Sequence, residues 1–257
     1  MTVDGIHYDV TGTGDAVLLI HGLALDGRMW DDQVDAFAAT HQVIRFDLPG
    51  SGHSAIPTGP WSLSGTAHDV LRDAGVDRAH VVGLSLGGQA ATDLALEHPG
   101  MVRSLVLIDA AVAGYRFSDE WRTRMKATID IAASESPGRA TERWLTDPLF
   151  APAMRHPATA QRLREMVLGY SGAHWTHPGW IISARPSTIE RLGEIRAPTL
   201  VIVGDLDLPD FHAVADTLAR EIRGARKLVV PDAGHMANME APRIVNRAIG
   251  EFWATTA

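Results

Sequence analysis

The chain of 257 residues contains no cysteine. This absence excludes disulfide bonds, thiolate metal sites and a cysteine nucleophile. Long hydrophobic runs are also missing, since no apolar stretch approaches the roughly 20 residues that cross a bilayer. The first residues lack the basic and apolar regions of a secretory signal. The sequence therefore predicts a cytoplasmic protein without a membrane partner.

Positive charge is scarce as well. The 23 lysines and arginines are outnumbered by 31 aspartates and glutamates, which gives a formal net charge of −8. No basic stripe is present to neutralise phosphates, so we expect no nucleic-acid partner. A hydrophobic fraction of 46% indicates an ordinary globular chain, long enough for one large domain. The sequence leaves open whether this domain is a monomer or a homodimer.

Strand-like and helix-like patterns alternate in the first hundred residues. Short apolar runs, typical of buried strands, are separated by stretches with helical apolar spacing. The runs occupy residues 16–20, 43–46, 81–82 and 102–108, and the helical stretches residues 30–39, 64–74 and 87–98. This alternation predicts an α/β fold with a mostly parallel, doubly wound sheet. Residues 6–10 are expected to pair as a hairpin with the strand that follows.

The alternation stops at residue 113 and resumes after Pro198. The intervening segment has helical patterns interrupted by prolines and no convincing strand. We predict an α/β core in two parts, residues 1–112 and 188–257, with an inserted helical cap at residues 113–187. The cap contains four of the seven tryptophans: Trp121, Trp144, Trp175 and Trp180. These side chains either line an apolar substrate pocket or form the core of the cap, and both readings stay open.

The most informative motif is Gly83-Leu84-Ser85-Leu86-Gly87, which fits the pattern G-x-S-x-G. It follows a β-branched run and precedes a helix-forming run, the context in which this pattern indicates a nucleophile elbow. The glycines let the chain fold past itself, and the strained serine is held out toward substrate. The backbone N–H of Leu86 at the helix start can face a developing oxyanion. We therefore predict Ser85 as a nucleophile.

A serine nucleophile needs a general base and a group that orients the base. His235 follows the last predicted strand and is the predicted base. The orienting acid is expected at the carboxyl end of a strand, where open α/β sheets place their sites. We favour Asp207, with Asp109 on the adjacent strand as the alternative. For Asp205 and Asp109, turn or helix capping is the simpler role.

The loop after the first core strand, residues 21–24, is the expected source of a second oxyanion donor. The backbone N–H of Leu23 is the predicted donor, and His21 is expected to fix the geometry of the loop.

Two further patterns carry no prediction of a cofactor or metal. Residues 50–55 fit the dinucleotide fingerprint formally, but prolines follow at once, so no helix N-terminus is available for a pyrophosphate. His174 and His177 have His-x-x-His spacing, with His156 nearby, but no carboxylates stand at the spacing of a zinc site. We therefore expect neither an organic cofactor nor a metal ion.

Five segments, in this order, resemble the α/β-hydrolase superfamily: HGLALDGRMW, DLPGSGHS, GLSLGG, GDLDLP and AGHMANMEAP. More narrowly, the chain is similar to small capped serine hydrolases, a group of esterases, enol-lactonases, C–C bond hydrolases and cofactor-free haloperoxidases. The resemblance implies Ser85 as nucleophile, Asp207 as acid, His235 as base, and Leu23 and Leu86 as oxyanion donors. Dehalogenases and epoxide hydrolases of this superfamily use an aspartate nucleophile, so the serine at the elbow argues against both.

The resemblance implies hydrolysis of a small carboxylic ester or lactone through an acyl-enzyme. C–C bond hydrolysis and thioester cleavage use the same residues, so these activities are alternatives. A non-hydrolytic cyclase or lyase, or a receptor that binds a ligand on the same scaffold, also stays open because a fold does not fix a function.

Overall fold

A central eight-stranded sheet organises the protein, whose computed structural model describes residues 1–182 and 185–256. The strands are β1 (Thr2–Val3), β2 (Ile6–Thr11), β3 (Asp15–Ile20), β4 (His41–Phe46), β5 (Trp61–Ser62), β6 (Ala79–Leu84), β7 (Val102–Ile108), β8 (Ile181–Ile182), β9 (Thr199–Gly204) and β10 (Arg226–Val230). Their order in the main sheet is β1-β2-β4-β3-β6-β7-β9-β10, and β5 pairs separately with β8. Strands β4 to β10 of the main sheet run parallel, which confirms the predicted α/β fold.

Helices cover the sheet and connect its parallel strands. They are α1 (Asp31–Phe37), α2 (Leu63–Asp73), α3 (Leu86–Glu97), α4 (Asp119–Ser134), α5 (Pro137–Leu145), α6 (Pro157–Gly169), α7 (Ala173–Thr176), α8 (Thr188–Arg191), α9 (Pro209–Glu221), α10 (Ala237–Glu240) and α11 (Pro242–Ala254). Proline opens α5, α6, α9 and α11, where its missing N–H leaves no hydrogen bond unmade. Within the described residues, none of these helices is long and apolar enough to cross a bilayer.

The hydrophobic core has two parts, one on each face of the sheet. Successive side chains of a strand point to opposite faces, so Val17 and Leu19 of β3 belong to one part and Leu18 and Ile20 to the other. Burial on both faces explains why the strand sequences are continuous apolar runs. All residues of β6, the strand before Ser85, are buried.

The predicted N-terminal hairpin is wrong. Strand β2 pairs antiparallel with β4, with Tyr8 opposite Phe46, and does not pair with β3. The reason is that β3 already has parallel neighbours on both sides, β4 and β6. Its apolar sequence favours this central position, and β2, which has exposed positions, takes a place nearer the edge.

The segment between β7 and α8 contains α4 to α7. Buried side chains from it, including Trp144, Leu163 and Trp175, belong to the same part of the core as Leu19 of β3. The segment therefore packs on one face of the main sheet. The expectation that it contains no strand is wrong, because β8 pairs with β5, but two residues are too few for a recognisable sequence pattern. Ile189 donates its N–H to the carbonyl of Ala113, so the two ends of the segment meet.

Candidate active site

Ser85 occupies a strained turn between β6 and α3. Its φ of 53° and ψ of −116° are rare for a residue with a side chain. The Ser85 N–H donates to the carbonyl of Ile108 at 3.1 Å, and the Ser85 carbonyl accepts from the N–H groups of Gln89 and Ala111 at 3.1 and 3.0 Å. These bonds to β7, to α3 and to the chain beyond β7 hold the serine in this conformation.

The two glycines of the motif are required by close backbone contacts. A Cβ at Gly83 would lie 2.1 Å from the carbonyl oxygen of Gly87. A Cβ at Gly87 would lie 2.0 Å from the carbonyl oxygen of Ile20 on β3. Both distances are far below any tolerable contact, so the sharp turn at Ser85 can form only with glycine on each side.

His235 and Asp207 form a buried hydrogen-bonded pair. The distance between Nδ1 of His235 and Oδ2 of Asp207 is 2.9 Å, and both side chains are closed off from solvent. Asp207 follows β9, and its Oδ1 accepts the N–H of Leu208 at 2.7 Å. The ring of Phe211 packs on the imidazole, with centroids 4.2 Å apart. The imidazole is thus fixed on one side by a carboxyl group and on the other by an aromatic ring.

Glu240 holds the loop of His235 and was not identified from the sequence. Its two carboxyl oxygens accept the N–H groups of Gly234 and Met236, each at 3.0 Å. The backbone on both sides of His235 is therefore tied to one side chain. A glutamate shortly after a glycine-histidine pair was the only signal in the sequence, and it belongs to no general motif.

The remaining nitrogen of His235 and the Ser85 side chain line the same small cavity. Nε2 of His235 is buried and has no hydrogen-bond partner among the described residues. The other walls are apolar, and Trp121, Trp144, Leu149 and Phe150 contribute to them. The cavity measures about 30 Å³, enough for about two water molecules. The side chain of Ser85 and the imidazole of His235 therefore border one small, mostly apolar cavity.

The tryptophans named from the sequence divide into two groups. Trp121 and Trp144 line the cavity beside Ser85. Trp175 instead packs edge-on against Trp144, and Trp180 stacks on His177 with centroids 3.7 Å apart. Neither Trp175 nor Trp180 is among the residues that line this cavity. These two tryptophans therefore make aromatic contacts within the helical segment and do not border the cavity beside Ser85.

The loop after β3 lies directly against the serine. A Cβ added to Gly22 would be 3.3 Å from the Cβ of Ser85. The N–H groups of Leu23 in this loop and of Leu86 at the start of α3 have no acceptor among the described parts of the chain. His21 holds the loop, because its Nε2 accepts the N–H of Leu48 and its Nδ1 then donates to the carbonyl of Gly22, each at 2.8 Å.

Both candidate acids lie at this site. Asp109 ends β7 with its side chain fully buried, and one atom from each of Asp109, Asp207 and His235 falls within 4.8 Å of the others. His235 bonds to Asp207, whereas Asp109 accepts the N–H of Gly204 at 2.8 Å. Asp205 is exposed and outside this cluster. The hydrogen bond with His235 therefore distinguishes Asp207 from Asp109 as the candidate orienting acid.

Burial dominates the electrostatics of the cluster. It raises the pKa of Asp207, while the hydrogen bond from the Leu208 N–H and the adjacent Asp109 side chain lower that pKa. Burial lowers the pKa of His235 to about 4, so the imidazole is neutral near pH 7. A neutral imidazole that donates from Nδ1 to Asp207 has its lone pair on Nε2. That nitrogen is then a base facing the cavity.

A metal ion is not needed to explain this cluster. Asp109, Asp207 and His235 are close enough to ligate one ion, but their facing atoms already make hydrogen bonds with one another or with backbone N–H groups. The histidines considered for zinc, His156, His174 and His177, belong to no group of three ligating side chains among the described residues. Nδ1 of His174 bonds to the hydroxyl of Tyr170, and Nδ1 of His177 to the hydroxyl of Thr176.

A larger cavity lies away from these residues. It measures about 730 Å³ and is lined by charged side chains, among them Arg28, Arg45 and Asp47. Arg28 pairs with Asp26, and Arg45 with Asp31. Because these arginines are already paired with carboxylates, we regard the small cavity beside Ser85 as the better candidate for an active site.

Comparison with known proteins agrees with the fold. The sequence profile of the alpha/beta hydrolase fold family matches residues 15–242. The chain is 32% identical to a putative carbamate hydrolase of Variovorax paradoxus, across 97% of this chain and 96% of that protein. The enol-lactonase from Burkholderia xenovorans superposes with a TM-score of 0.84 at 27% identity, covering 97% of this chain and 96% of its own. A thermophilic esterase from Thermogutta terrifontis superposes with a TM-score of 0.84 at 29% identity, covering 98% of this chain and 93% of its own. The chain therefore belongs to the α/β-hydrolase family and is an enzyme of that fold, which confirms the resemblance found in its sequence.

Proposed function

We propose that the protein is a serine hydrolase that cleaves a small carboxylic ester or lactone through an acyl-enzyme. One observation carries the proposal: His235 is bonded to Asp207 through Nδ1, and its unpartnered Nε2 borders the cavity that Ser85 also lines. This is the arrangement in which a neutral imidazole can remove the proton of a serine hydroxyl.

The proposed reaction begins when Nε2 of His235 takes the proton of Ser85 as Oγ attacks the substrate carbonyl. The oxyanion accepts hydrogen bonds from the N–H groups of Leu23 and Leu86, which have no acceptor in the described chain. Protonated His235 then gives its proton to the leaving oxygen. Water attacks the acyl-enzyme by the same steps, and Asp207 stabilises the imidazolium each time it forms.

The cavity favours a small, uncharged substrate. Its described lining contains no Asp, Glu, Lys or Arg side chain, and its volume is about 30 Å³. A charged group would lose its hydration there without gaining a partner. An uncharged acyl chain or lactone therefore suits this apolar lining better than an ionised group, and relatives named as a putative carbamate hydrolase and an enol-lactonase are consistent with small substrates.

A substrate panel tests the proposal. Aryl esters with two to eight acyl carbons, small lactones, a thioester and a vinylogous diketone are each assayed with the wild type, Ser85→Ala and Ser134→Ala. Ser134 is an exposed serine on α4 and is the matched control. We expect the wild type to turn over the short esters or lactones. In Ser85→Ala, kcat should fall by at least about a thousandfold, roughly the effect of removing a serine nucleophile, whereas Ser134→Ala should keep its kcat.

The same panel separates the alternatives. Turnover of the diketone with little ester hydrolysis would favour a C–C bond hydrolase, and selective thioester turnover a thioesterase. Saturable binding of the esters with no product from any of them would favour a receptor or a non-hydrolytic enzyme and would contradict the proposal.

A further inference from the structure

The reaction proposed above uses one carboxyl group, but the site contains two. Asp109 is fully buried, and one of its carboxyl oxygens lies within 4.8 Å of ligating atoms of Asp207 and His235. Its backbone is held in place, because the Asp109 N–H donates to the carbonyl of Ile202 at 2.8 Å. Its φ of 44° is a conformation that aspartate and asparagine tolerate better than most residues.

The hydrogen bonds of the two carboxyl groups are unequal. Both oxygens of Asp207 accept short bonds, Oδ1 from Leu208 at 2.7 Å and Oδ2 from His235 at 2.9 Å. For Asp109, Oδ1 accepts the Gly204 N–H at 2.8 Å, while Oδ2 has only the N–H of Ala237 at 3.4 Å. The Asp109 Oδ2 atom is therefore the poorest acceptor of the four oxygens, and the best place for a proton.

We propose that Asp109 is a positioning residue that keeps its proton and donates it in a hydrogen bond to Asp207, so that Asp207 carries the single negative charge of the pair. The inference rests on the proposed function, since it assigns Asp207 to the orientation of His235. Asp109 is not among the residues that line the cavity beside Ser85, so its proposed effect on His235 is exerted through Asp207.

The surroundings support a single charge on the pair. Two adjacent carboxyl groups removed from water cannot both ionise near neutral pH, and they share one proton. Burial raises the pKa of Asp109 well above its usual range, and the charge of Asp207 raises it further. The adjacent Asp109 side chain has the opposite effect and lowers the pKa of Asp207. The other acidic group acting on Asp207 is Glu240, whose charge raises the pKa of Asp207 and so opposes more than one negative charge in the pair.

An asparagine at position 109 distinguishes this role from that of an ionised acid. The amide of Asp109→Asn keeps one donor for Asp207 and one acceptor for the Gly204 N–H, but it has no charge to contribute. If Asp109 acts as a neutral donor, the asparagine replaces it. If Asp109 acts as a carboxylate, the asparagine cannot.

The first measurement compares Asp109→Asn with Asp109→Gly, using kcat and KM for a short-chain aryl ester. Glycine adopts positive φ without strain, and it removes the donor to Asp207 together with the acceptor of the Gly204 and Ala237 N–H groups. We expect Asp109→Asn to keep kcat close to that of the wild type. In Asp109→Gly, kcat falls by about 10- to 150-fold at nearly constant KM, the usual effect of losing a hydrogen bond to a charged group. Loss of kcat in Asp109→Asn as large as in Asp207→Asn would overturn the inference.

The second measurement does not depend on turnover. The infrared difference spectrum of wild type minus Asp109→Asn at pH 7 is expected to contain the C=O stretch of a protonated carboxyl group. A difference spectrum that contains a carboxylate band instead would overturn the inference, even if the protein hydrolyses esters. If no ester is turned over, the proposed function fails, and the infrared result still decides the protonation of Asp109. Should Asp109→Gly fail to fold, the asparagine variant and the infrared spectrum decide alone.

Discussion

Nδ1 of His235 lies 2.9 Å from Oδ2 of Asp207, and neither side chain is accessible to water. In this environment the bond fixes which ring nitrogen carries the proton. Nδ1 donates, so Nε2 keeps its lone pair and borders the cavity beside Ser85. The chemistry that we propose depends on this single contact more than on any other.

Replacing Asp207 tests that contact. In Asp207→Asn the amide nitrogen favours the wrong imidazole tautomer, and we expect kcat to fall by about 10⁴-fold, the loss seen when the acid of such a triad is converted to its amide. Asp205→Asn, two residues away and exposed, is the matched control and should keep full activity. The measurement is kcat for a short-chain aryl ester. Near-normal turnover in Asp207→Asn, with collapse in Asp109→Asn, would make Asp109 the orienting acid.

The glycine after the elbow provides a test of the turn itself. Gly87→Ala would place a Cβ 2.0 Å from the Ile20 carbonyl, so we expect this variant to unfold at lower temperature and lose activity, or to fail to fold. Gly250, also in a helix, has open space around the same atom. Gly250→Ala should raise the free energy of unfolding by about 0.5–1 kcal/mol. The melting temperatures of both variants test this difference. Equal changes in melting temperature for Gly87→Ala and Gly250→Ala would contradict the prediction.

How much of this site could be read from the sequence differs from residue to residue. The sharp turn at Ser85 and the place of His235 were predictable because each depends on local chain geometry: a tight turn needs its glycines, and His235 follows the last strand. Asp109 and Asp207 could not be separated with the same certainty, because both follow strands that are neighbours in the sheet. The choice between them depends on side-chain directions, which appear in the structure as separate hydrogen bonds.

Other features are invisible to sequence patterns for a physical reason. The pairing of β2 with β4 joins residues about 35 positions apart, and the strand between them takes the centre of the sheet. Glu240 bonds to backbone N–H groups, which every residue has, so nothing in the sequence marks its partners. The tryptophans of the helical segment all have large apolar rings, and only packing decides that Trp144 lines the cavity and Trp180 does not.

The wall of the cavity gives a prediction about specificity. Leu149 is buried and lines the cavity, so Leu149→Ala should enlarge it and shift the preferred aryl ester toward longer acyl chains. Leu163 is equally buried in the same part of the core but does not line the cavity. Each variant should lower the free energy of unfolding by about 2–5 kcal/mol, the usual range for such a truncation, but Leu163→Ala should not change the preferred acyl chain length.

The measurement for this pair is kcat/KM across the acyl series, together with the free energy of unfolding of each variant. A shift of equal size in Leu163→Ala would mean that loosened packing, rather than the shape of the cavity, sets the preference for chain length.

A buried carboxyl group on α3 gives a prediction about stability and pH. Asp93 accepts a hydrogen bond from the hydroxyl of Thr188, and burial raises its pKa from 3.8 to about 6. The folded state therefore binds this proton more tightly than the unfolded state does. Stability is lost as the pH rises through this window, by up to about 3 kcal/mol above pH 6.

The neutral variant Asp93→Asn should avoid this loss. In urea unfolding we expect its free energy of unfolding, relative to the wild type, to be clearly higher at pH 8 than at pH 5. Asp77→Asn, at an exposed side chain, serves as the control and should show no such change. The same difference between Asp93→Asn and the wild type at both pH values would contradict the assignment.

Covalent labelling of Ser85 tests the central claim most directly. The protein is treated with a fluorophosphonate, and its intact mass and modified peptide are measured beside those of Ser85→Ala and Ser134→Ala. We predict one adduct per chain, on Ser85, retained in Ser134→Ala, absent from Ser85→Ala and slowed strongly in Asp207→Asn. A folded wild-type protein that stays unlabelled, or that is labelled equally after Ser85→Ala, would contradict the proposed nucleophile.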